Sequence, residues 1–487
     1  MIRRNQQGIT PMISTHLDRF LIGGAWVAPG DGAGRMGVEN PATEDILAEL
    51  PLGTAADADR AVMAARAAFD SWTATPVAER IALLERVLEL YRARTQDIAD
   101  AMRLEMGAPR EWALEAQAFA GQAHLESTIE AAKRFHWEEM RGTSLLIREG
   151  IGVCALITPW NWPMNQIVCK VAPAIAAGCT MVLKPSELAP LSAALFAEIV
   201  TEAGCPAGVF NLIHGTGPEV GQALASHPQV DMVSFTGSTR GGMAVAQAAA
   251  PTVKRVAQEL GGKSPNILLP DCDFPVAVAA GVGACMDNAG QSCDAPTRMF
   301  VPHDRMDEVL ALARQTAAAL RPGDPTDPGT DMGPVISRAH WDRVQGLIQQ
   351  GIDEGATLVC GGTGRPEGLN RGHFVRPTVF GHVTNEMTIA REEIFGPVLS
   401  VIGYDSVDQA VEMANDTVYG LAAYIRGPID QARAVARKLR AGQVNMNGPD
   451  WDLFAPFGGY KQSGNGREYA DWGIHDFCEV KALVGHG

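Results

Sequence analysis

Short apolar segments alternate with longer helical ones along most of this chain. The alternation begins near residue 143, and segments such as 180–183 and 232–235 have the composition of strands and are separated by stretches with apolar residues at helical spacing. A second series begins at 266–269 and continues past 398–402. Strands that alternate with helices predict an α/β fold, with parallel sheets covered by helices.

The residues before this alternation differ in composition and in the spacing of their apolar residues. Residues 20–51 contain short apolar runs interrupted by turn residues, a pattern typical of small strands. Residues 57–135 are rich in Ala, Leu, Glu and Arg and predict long helices. Residues 143–157 and 477–484 again have the composition of strands. A chain of 487 residues exceeds what one hydrophobic core usually serves, so we expect two or more domains.

Charge and composition argue against several classes of partner. The net charge is −16 and no block of Lys and Arg stands out, which disfavours nucleic acid and anionic membrane surfaces. No apolar run approaches the roughly 18 residues of a membrane span. Nine cysteines without a C-x-x-C pair, and without histidines at metal-ligand spacing, argue against a disulfide framework and a zinc site. We therefore expect reduced thiols, no metal and a cytoplasmic location.

The N-terminus is expected to carry no secretion signal. It opens with Arg3 and Arg4 and continues through polar residues to Pro11, so an apolar signal region is lacking. Residues 1–16 are expected to be a loose tail, in which Met12 is an alternative start.

Two reactive side chains stand out in the second series. Cys293 ends the run Asn-Ala-Gly-Gln-Ser-Cys, and Glu259 opens the run Glu-Leu-Gly-Gly-Lys. A thiol at the mouth of a site becomes a nucleophile when its pKa is lowered from about 8.5. Taken singly, a cysteine is more often a small buried side chain and a glutamate a solvated carboxylate. Together, a thiol and a carboxylate base predict covalent catalysis.

Asn161 is the third candidate. It lies in the segment 158–163, where two Trp and two Pro surround it at the end of a predicted strand. A fixed side-chain amide can donate a hydrogen bond to an oxyanion, and loss of one such donor typically costs about 3 kcal/mol in the transition state. The alternative is that Asn161 satisfies only local backbone groups.

Two glycine-rich turns, at 215–221 and 235–242, follow predicted strands. A strand, a turn without side chains and a helix N-terminus together present free N–H groups to a pyrophosphate, to which Ser238 adds a hydroxyl. Neither turn matches G-x-G-x-x-G, so each signal is weak by itself.

Lys184 and Glu187 follow the predicted strand 180–183, where the adenosine ribose lies in a doubly wound sheet. The alternative is a routine turn. If Glu187 accepts both ribose hydroxyls, its charge repels a 2′-phosphate, so the sequence predicts NAD in preference to NADP.

The chain resembles the aldehyde dehydrogenase superfamily, in its non-acylating, NAD(P)-dependent form. The resemblance covers residues 20–484, and several motifs in the right order are far more specific than any one of them. The segments that carry it are 158–163, 184–187, 235–238, 259–263, 290–293, 393–398 and 456–461.

The resemblance implies three structural parts. These are a Rossmann-like dinucleotide-binding domain with a doubly wound parallel sheet at 1–131 and 151–261, a second α/β catalytic domain at 262–461, and a small β oligomerisation element at 132–150 and 475–487. A homodimer or homotetramer is expected. Pairing with a partner subunit would protect the strand-like segments of that element from aggregation.

The resemblance also implies a mechanism for oxidising an aldehyde to a carboxylic acid. Cys293 adds to the carbonyl, and the oxyanion of the thiohemiacetal is held by the Asn161 side chain and the Cys293 backbone N–H. Hydride passes to the nicotinamide and leaves a thioester, which is hydrolysed by water that Glu259 activates. Glu468 matches a second carboxylate implicated in proton movement. Relatives that pass the acyl group to coenzyme A typically lack a carboxylate at the position of Glu259, so hydrolytic release is favoured.

The family's motifs assign further contacts. Glu393 and Phe395 would position the nicotinamide ribose and ring, and Ser238 the pyrophosphate. The expected cofactor contacts are Thr158, Pro159, Trp160, Lys184, Ser186, Glu187, Gly217, Phe235, Gly237, Ser238, Leu260, Gly261, Glu393 and Phe395. The expected substrate contacts are Trp162, Gln166, Cys169, Asp287, Ser292, Asp294, Trp451 and Phe457.

The residues at the expected substrate tunnel suggest a class of aldehyde. Trp162, Trp451 and Phe457 would form aromatic walls suited to an apolar or aromatic aldehyde. Asp287 and Asp294 favour a hydroxylated or cationic substrate over a carboxylate-bearing semialdehyde, unless they point away into salt bridges.

Two other classes of function remain open. One is a thiol-dependent acylating or esterase enzyme on the same scaffold, which dependence on coenzyme A would reveal. The other is a binding or structural protein that keeps the fold without catalysis. Retention of both Cys293 and Glu259 speaks against the second class, because a chain without catalytic selection would readily lose one of them.

Overall fold

The protein is an α/β molecule built on two large, mostly parallel sheets, so the predicted fold class is confirmed. The structure is a computed structural model that describes residues 14–487. Met12 and residues 1–13 of the expected tail lie outside the described residues.

The secondary-structure elements follow the alternation read from the sequence. The strands are β1 (Phe20–Ile22), β2 (Ala25–Val27), β3 (Gly34–Asn40), β4 (Asp45–Leu52), β5 (Glu138–Arg141), β6 (Ser144–Gly150), β7 (Val153–Ile157), β8 (Thr180–Lys184), β9 (Phe210–Leu212), β10 (Met232–Thr236), β11 (Arg255–Glu259), β12 (Pro265–Leu268), β13 (Arg298–Pro302), β14 (Thr357–Cys360), β15 (Thr378–Gly381), β16 (Val398–Tyr404), β17 (Ala422–Arg426), β18 (Gln443–Met446), β19 (Gly464–Asn465) and β20 (Cys478–Leu483). The α-helices are α1 (Ala55–Thr73), α2 (Val77–Ala93), α3 (Thr95–Met106), α4 (Arg110–Trp112), α5 (Phe119–Arg134), α6 (Pro163–Ala177), α7 (Leu191–Glu202), α8 (Gln222–Ser226), α9 (Thr239–Ala249), α10 (Phe274–Met286), α11 (Met306–Ala319), α12 (Arg338–Asp353), α13 (Thr388–Arg391), α14 (Val407–Asn415), α15 (Ile429–Ala436) and α16 (Ala470–Asp476).

The first large sheet has the strand order β19-β11-β10-β7-β8-β9-β1-β2. Its central strands, from β11 to β9, run parallel. The chain adds β8 and β9 on one side of β7 and β10 and β11 on the other, so the winding direction reverses between β7 and β10. In open parallel sheets ligands bind at such a reversal, beyond the carboxyl ends of the strands. The segments that begin at Thr158 and Gly237 leave β7 and β10 at this edge.

Helix α6 links this sheet to the helical layer of residues 55–134. Every residue of α6 is buried, which its apolar sequence allows because it packs between the sheet and helices α2 and α5. Pro163 occupies its first turn, where the missing N–H has no intrahelical partner anyway. Gln166, Cys169 and Lys170 are spaced i, i+3 and i+4 and therefore share one face of the helix.

The second large sheet has the order β14-β15-β16-β13-β12-β17-β18, and all its pairs except β14–β15 are parallel. Arg298, the first residue of β13, is fully buried. Its guanidinium donates to the carbonyls of Lys263 and Ala414, both at 2.9 Å. The Lys263 bond ties the segment that follows Glu259 to the strand that follows Cys293.

Two smaller sheets complete the described residues. Strands β20, β6 and β5 form an antiparallel sheet, and β3 pairs with β4. On β20, Val480 and Leu483 are exposed. The domain boundaries given above, and the role of the three-stranded sheet in oligomerisation, remain predictions.

Within residues 14–487, none of the helices has the length and apolar character that crossing a bilayer requires. The nine cysteines are free thiols. The described part of the chain contains no group of three or more His, Cys, Asp or Glu side chains arranged to hold a metal ion.

Candidate active site

Cys293 lies on the segment that connects α10 to β13, and this segment has an unusual backbone. Asn288, Ala289 and Gly290 have φ values of 54°, 55° and 71°. Left-handed backbone is rare for residues with a Cβ and persists only where surrounding contacts hold it. Gly290 lies against the carbonyl of Gly396, where a Cβ would clash. The left-handed turn brings the half-buried Cys293 to a cavity between the two large sheets.

This cavity has a volume of about 510 Å³. It brings together residues from both sheets, and many of the sequence-predicted residues line it. These are Pro159, Trp160, Asn161, Gln166, Gly237, Ser238, Leu260, Gly261, Cys293, Glu393 and Phe395.

Six other residues also line the cavity, and the motifs assigned no contact to them individually, although three of them lie within the predicted phosphate-binding turn 235–242. The six are Thr236, Thr239, Arg240, His340, Arg343 and Tyr419. Thr239 and Arg240 directly follow Ser238 at the start of α9, so the predicted phosphate turn was a signal for them. His340, Arg343 and Tyr419 are far in sequence from every motif, and no local pattern indicates them.

The phosphate side of the cavity is the N-terminus of α9. Ser238 is its N-cap, and its Oγ accepts a hydrogen bond from the N–H of Gly241 at 3.1 Å. Arg240 lies in the same turn and also lines the cavity. The helix N-terminus and the neighbouring guanidinium together suit a pyrophosphate.

Aromatic rings form another part of the cavity wall. The rings of Trp160 and Phe395 meet edge to face at 5.5 Å, and His340 packs against both. The Glu393 carboxylate accepts a hydrogen bond from the N–H of Gly262 at 2.9 Å. Burial raises the pKa of Glu393 to about 7. Flat rings, a fixed carboxylate and a phosphate-binding turn line one cavity, and together they fit a dinucleotide.

Lys184 and Glu187 lie beside the reversal point of the first sheet, at the end of β8. The Lys184 ammonium is buried and donates to the Glu187 carboxylate at 3.2 Å. Burial lowers the pKa of Lys184, and Glu187 opposes that shift. The Thr158 N–H donates to the Lys184 carbonyl at 3.1 Å, so the ends of β7 and β8 stay in register. Ser186 accepts a hydrogen bond from the N–H of Leu188 at 3.2 Å.

Six predicted cofactor residues lie outside the cavity lining. They are Thr158, Lys184, Ser186 and Glu187, described above, and Gly217 and Phe235. Gly217 is exposed at the start of the π-turn Gly217–Gly221, which follows β9. Phe235 packs its ring beneath the phosphate turn, where a Cβ on Gly237 or Gly241 would approach it to 2.6 or 2.8 Å. In this structure Phe235 therefore supports the turn from below.

Asn161 lies at the wall of the cavity and is buried. Its side-chain Nδ2 donates to the carbonyl of Gln291 at 2.9 Å, two residues before the nucleophile. An amide nitrogen carries two hydrogens, and this is its one hydrogen bond within the described residues, so one N–H can meet a ligand oxygen. The side chain is thus held beside Cys293 with a donor to spare.

The Cys293 thiol is surrounded by acidic groups. Burial raises its pKa well above the ordinary value, and the carboxylates of Asp294, Glu393 and Glu259 raise it further. A raised pKa makes the reactive thiolate less available, so a nearby base is needed to take the thiol proton.

Glu259 ends β11 and is 4% exposed. Neither of its carboxylate oxygens has a hydrogen-bond partner within residues 14–487. Burial raises its pKa well above the usual range and Glu468 adds to the shift, whereas Lys170 and Arg467 oppose it. A carboxyl group with two open oxygens and a raised pKa is suited to take a proton from a thiol or a water molecule.

Glu468 lies behind Glu259 in a buried ion pair with Lys170. Burial alone would lower the pKa of Lys170, but the Glu468 carboxylate raises it above its ordinary value. The Cys169 thiol also contacts Glu468, at 3.3 Å. A cavity of about 10 Å³ beside Glu259 and Glu468 has room for one water molecule. Cys169 thus lies next to the proton-carrying groups as well as the expected tunnel.

An aromatic cluster lies on the other side of the nucleophile. Cys293 packs against Phe457 and Tyr469, whose rings stack at 5.3 Å. Trp451 meets Tyr469 edge to face at 6.2 Å. Trp162 donates its indole N–H to Ser292 Oγ at 2.9 Å. The predicted residues Trp162, Ser292, Trp451 and Phe457 therefore gather around this side of the nucleophile segment.

Three members of this aromatic surface were missed. Trp112 packs on Trp162 at 5.9 Å, and His124 packs on Tyr469 at 4.3 Å. Tyr469 follows Glu468 directly and was within reach of the sequence analysis. Trp112 and His124 come from the helical layer, for which the sequence offered only helix periodicity.

Asp287 and Asp294 flank the nucleophile segment. Asp294 accepts a hydrogen bond from the Tyr424 hydroxyl at 3.3 Å, and burial raises its pKa. Asp287 keeps an exposed side, but desolvation by the surrounding protein, together with the Asp294 carboxylate, raises its pKa to about 6. The two acidic side chains therefore influence each other across the segment that carries Cys293.

The Aldehyde dehydrogenase family model matches residues 26–483. The chain is 53% identical to a 3-succinoylsemialdehyde-pyridine dehydrogenase of a Pseudomonas species, with 96% of this chain and 98% of the relative covered. It is 54% identical to aldehyde dehydrogenase C of Pseudomonas syringae, solved as a mutant in complex with NAD+ and octanal, with 98% and 99% covered and a TM-score of 0.97. A betaine aldehyde dehydrogenase of Staphylococcus aureus, solved with NAD+, is 34% identical, with 96% and 95% covered and a TM-score of 0.93.

The buried Lys170–Glu468 pair allows a test of stability. We expect Lys170→Met to lower the free energy of unfolding by about 3–5 kcal/mol, because it leaves Glu468 buried without its cation. Lys170→Met combined with Glu468→Leu should recover part of this loss. Urea denaturation followed by fluorescence measures both changes. The matched control is Lys438→Met, which removes the exposed pair with Asp408 and should cost less than about 1 kcal/mol. Equal losses at Lys170 and Lys438 would contradict the interpretation.

Proposed function

The chain belongs to the aldehyde dehydrogenase family, and we propose that Cys293, Asn161 and Glu259 carry out its reaction. That reaction is the NAD-dependent oxidation of an aldehyde to the carboxylic acid through a cysteine thiohemiacetal and a thioester. One observation carries the assignment of residues. A half-buried thiol and a buried amide line the same cavity, and a carboxyl group with two open oxygens lies close enough to raise the pKa of that thiol.

The first step is the addition of Cys293 to the aldehyde. Glu259 takes the thiol proton, and the thiolate sulfur forms a bond to the carbonyl carbon while the carbonyl oxygen becomes an oxyanion. The free N–H of the Asn161 amide and the backbone N–H of Cys293 stabilise this oxyanion. Because the Asn161 side chain is buried and held by its hydrogen bond to Gln291, its dipole acts more strongly than it would in solvent.

NAD, when bound, supplies the acceptor for the hydride that leaves the substrate carbon. The residues that would hold it are the N-terminus of α9 with Ser238 for the pyrophosphate, and Glu393, Trp160 and Phe395 for the nicotinamide riboside. Thr158, Lys184, Ser186 and Glu187 would bind the adenosine end.

The last step is hydrolysis of the thioester on Cys293. Glu259 takes a proton from a water molecule, the hydroxide oxygen attacks the thioester carbon, and the carbon–sulfur bond breaks to release the acid. The proton that Glu259 took from the thiol passes to the Glu468 carboxylate and away from the site before this step, and the proton taken from water follows the same route. The Lys170 ammonium stabilises the Glu468 carboxylate between the two transfers. The small water-sized cavity beside Glu259 and Glu468 supports this route.

Substitution of the nucleophile and the base tests the mechanism. Cys293→Ala should abolish NADH formation, whereas Cys360→Ala, at a half-buried thiol on β14, should leave it unchanged. Glu259→Gln should lower kcat by about 10²–10⁴-fold, because the general base is lost. Activity that persists in Cys293→Ala would contradict the assignment.

The raised pKa of Glu259 also predicts the pH dependence. Only the carboxylate form acts as a base, and burial shifts its formation to higher pH. We therefore expect kcat to rise with pH well above the ordinary range of a glutamate, and Glu259→Gln to remove this limb. Steady-state absorbance of NADH across pH 5–9 measures the profile, and a Glu259→Gln profile of unchanged shape would refute the role.

We propose that NAD is preferred over NADP. The Glu187 carboxylate is held by the buried Lys184 at the adenosine end, where it would repel a 2′-phosphate. NAD+ is the cofactor in the solved complexes of the two relatives named above. A preference of this kind depends on charge at a single position.

Neutralising that charge should relax the preference. Glu187→Gln is expected to shift the ratio of kcat/KM for NAD over NADP by about tenfold toward NADP, because the repulsion of the phosphate is removed. Glu202→Gln, at the exposed end of α7, makes the same charge change elsewhere and should leave the ratio unaltered. An identical ratio in the wild type and Glu187→Gln would mean that the preference has another origin.

We propose an uncharged apolar or aromatic aldehyde as the substrate class. Trp162, Trp451, Phe457 and Tyr469 form an aromatic surface beside the nucleophile, which favours apolar groups by burial. Asp294 lies next in the chain to Cys293 and adds an acidic neighbour. One similar protein from Pseudomonas is named for a pyridine-bearing semialdehyde, and the other was solved with octanal. Both compounds agree with this class.

A panel of aldehydes tests the substrate class. Octanal and benzaldehyde should have kcat/KM values at least tenfold above that of succinic semialdehyde. The carboxylate of succinic semialdehyde would lie against the apolar aromatic surface and be repelled by Asp294. Asp294→Asn should narrow this difference by removing one negative charge. Amino and hydroxylated aldehydes in the same panel measure whether the acidic residues attract polar groups. Clear preference for the anionic semialdehyde would refute the proposal.

A further inference from the structure

A closed set of side-chain amides joins the two segments that carry the nucleophile and the oxyanion donor. The amide network consists of Gln117, Asn161, Asn288 and Gln291. The Asn288 side chain donates to the Asn161 carbonyl at 2.9 Å and to the Gln291 carbonyl at 3.2 Å. The Asn161 side chain donates to that same Gln291 carbonyl at 2.9 Å. The chain after β7 and the chain before Cys293 are therefore bonded to each other directly.

Gln117 reaches this network from a third part of the molecule. Its Nε2 donates to the Asn161 carbonyl at 3.1 Å and to Asn288 Oδ1 at 3.2 Å. Both acceptors are oxygens, so the orientation of the Gln117 amide is determined, since a flipped amide would set oxygen against oxygen. Its own Oε1 has no hydrogen-bond partner in the described part of the chain. Gln117 therefore acts in the network as a donor to both catalytic segments at once.

A local irregularity of the helical layer presents Gln117 to the site. Residues Ala113–Ala118 form a π-turn between α4 and α5. A π-turn widens the helix by one residue per turn, and such turns are frequent at functional sites. Gln117 is fully buried there. A helix of regular pitch through these residues would present a different side chain to the network, because each residue would be rotated about the axis.

The network also accounts for the left-handed backbone of the nucleophile segment. Asn288 and Ala289 keep positive φ values, which cost free energy unless neighbouring contacts impose them. The Asn288 side chain is held at its Oδ1 by Gln117 and through its Nδ2 by two carbonyls. Without the Gln117 bond, one end of this side chain is released and the turn can relax.

We propose that Gln117 is a positioning residue for the oxyanion site, which it serves by holding the Asn161 amide against the Cys293 segment. This inference rests on the proposed roles of Asn161 and Cys293. Gln117 itself does not line the cavity, so it would act through Asn161 and Asn288. Displacement of a catalytic donor by about 1 Å can cost on the order of 100-fold in rate, so a positioning bond of this kind affects the chemical step strongly.

The variant Gln117→Met tests the inference, because it keeps the length of the side chain and removes the donor. With octanal as the substrate, the stopped-flow burst of NADH should slow by about 10–100-fold. The dissociation constant of NAD, measured by fluorescence, should change by less than about threefold. Gln117→Glu, which sets a carboxylate against both acceptor oxygens, should slow the burst at least as much and serves as the second variant if Gln117→Met does not fold.

Asn211→Leu is the matched control. The Asn211 side chain is also buried and donates two hydrogen bonds to carbonyls, at 3.0 and 2.8 Å, but it lies on β9. Asn211→Leu should lower the unfolding temperature, but it should slow the burst of NADH much less than Gln117→Met does. A burst that slows equally in Asn211→Leu and Gln117→Met would overturn the inference, because both effects would then follow from lost stability.

A double-mutant cycle with Asn161→Ala separates positioning from general damage. In the Asn161→Ala background, Gln117→Met should slow the burst by less than about threefold, because the donor that it positions is absent. The same factor in both backgrounds would overturn the inference. A burst unaffected by Asn161→Ala alone would instead overturn the proposed function, so the two failures are distinguishable.

Discussion

The chemistry of this protein depends on the burial of ionisable side chains between its two large sheets. Burial raises the pKa values of Cys293, Glu259 and Glu393 together, which makes the thiol harder to ionise and the Glu259 carboxylate a stronger base. Acidic groups are costly to crowd in this way, and the buried Lys170 offsets part of that cost by pairing with Glu468. Burial of Asn161 likewise strengthens the dipole that would stabilise an oxyanion.

The two sheets contribute differently to this space. The first supplies the edge where its winding reverses, with the phosphate turn at the start of α9 and Asn161 beyond β7. The second supplies the nucleophile, on a left-handed turn before β13. Helix α6 lies between these parts and contributes Gln166, Cys169 and Lys170 from one face. Each part alone is an ordinary element of an α/β protein, and the catalytic arrangement arises only where they meet.

Much of the fold and of the site could be predicted because the relevant signals are local. The alternation of strands and helices depends on periodicity within each segment, and the fold class followed from it. Residues such as Cys293, Glu259, Asn161 and Glu393 lie in short motifs, and they lie at or beside the cavity where the structure brings these motifs together. His340, Arg343 and Tyr419 lack such a signal, because their role depends only on which elements pack against the cavity. Thr158, Lys184, Ser186, Glu187, Gly217 and Phe235 lie in motifs but outside the cavity lining, so their predicted cofactor contacts stay predictions.

The α/β class, the reactive side chains and the resemblance to a family can be read along the chain, because they depend on residue type and spacing. Packing of distant segments sets the surroundings of those side chains. It left the oxygens of Glu259 without partners among the described residues, paired Glu468 with Lys170, and brought Gln117 from the helical layer to the nucleophile segment. Burial and hydrogen bonding between residues more than a hundred positions apart are properties of packing, and no local pattern in the chain specifies them.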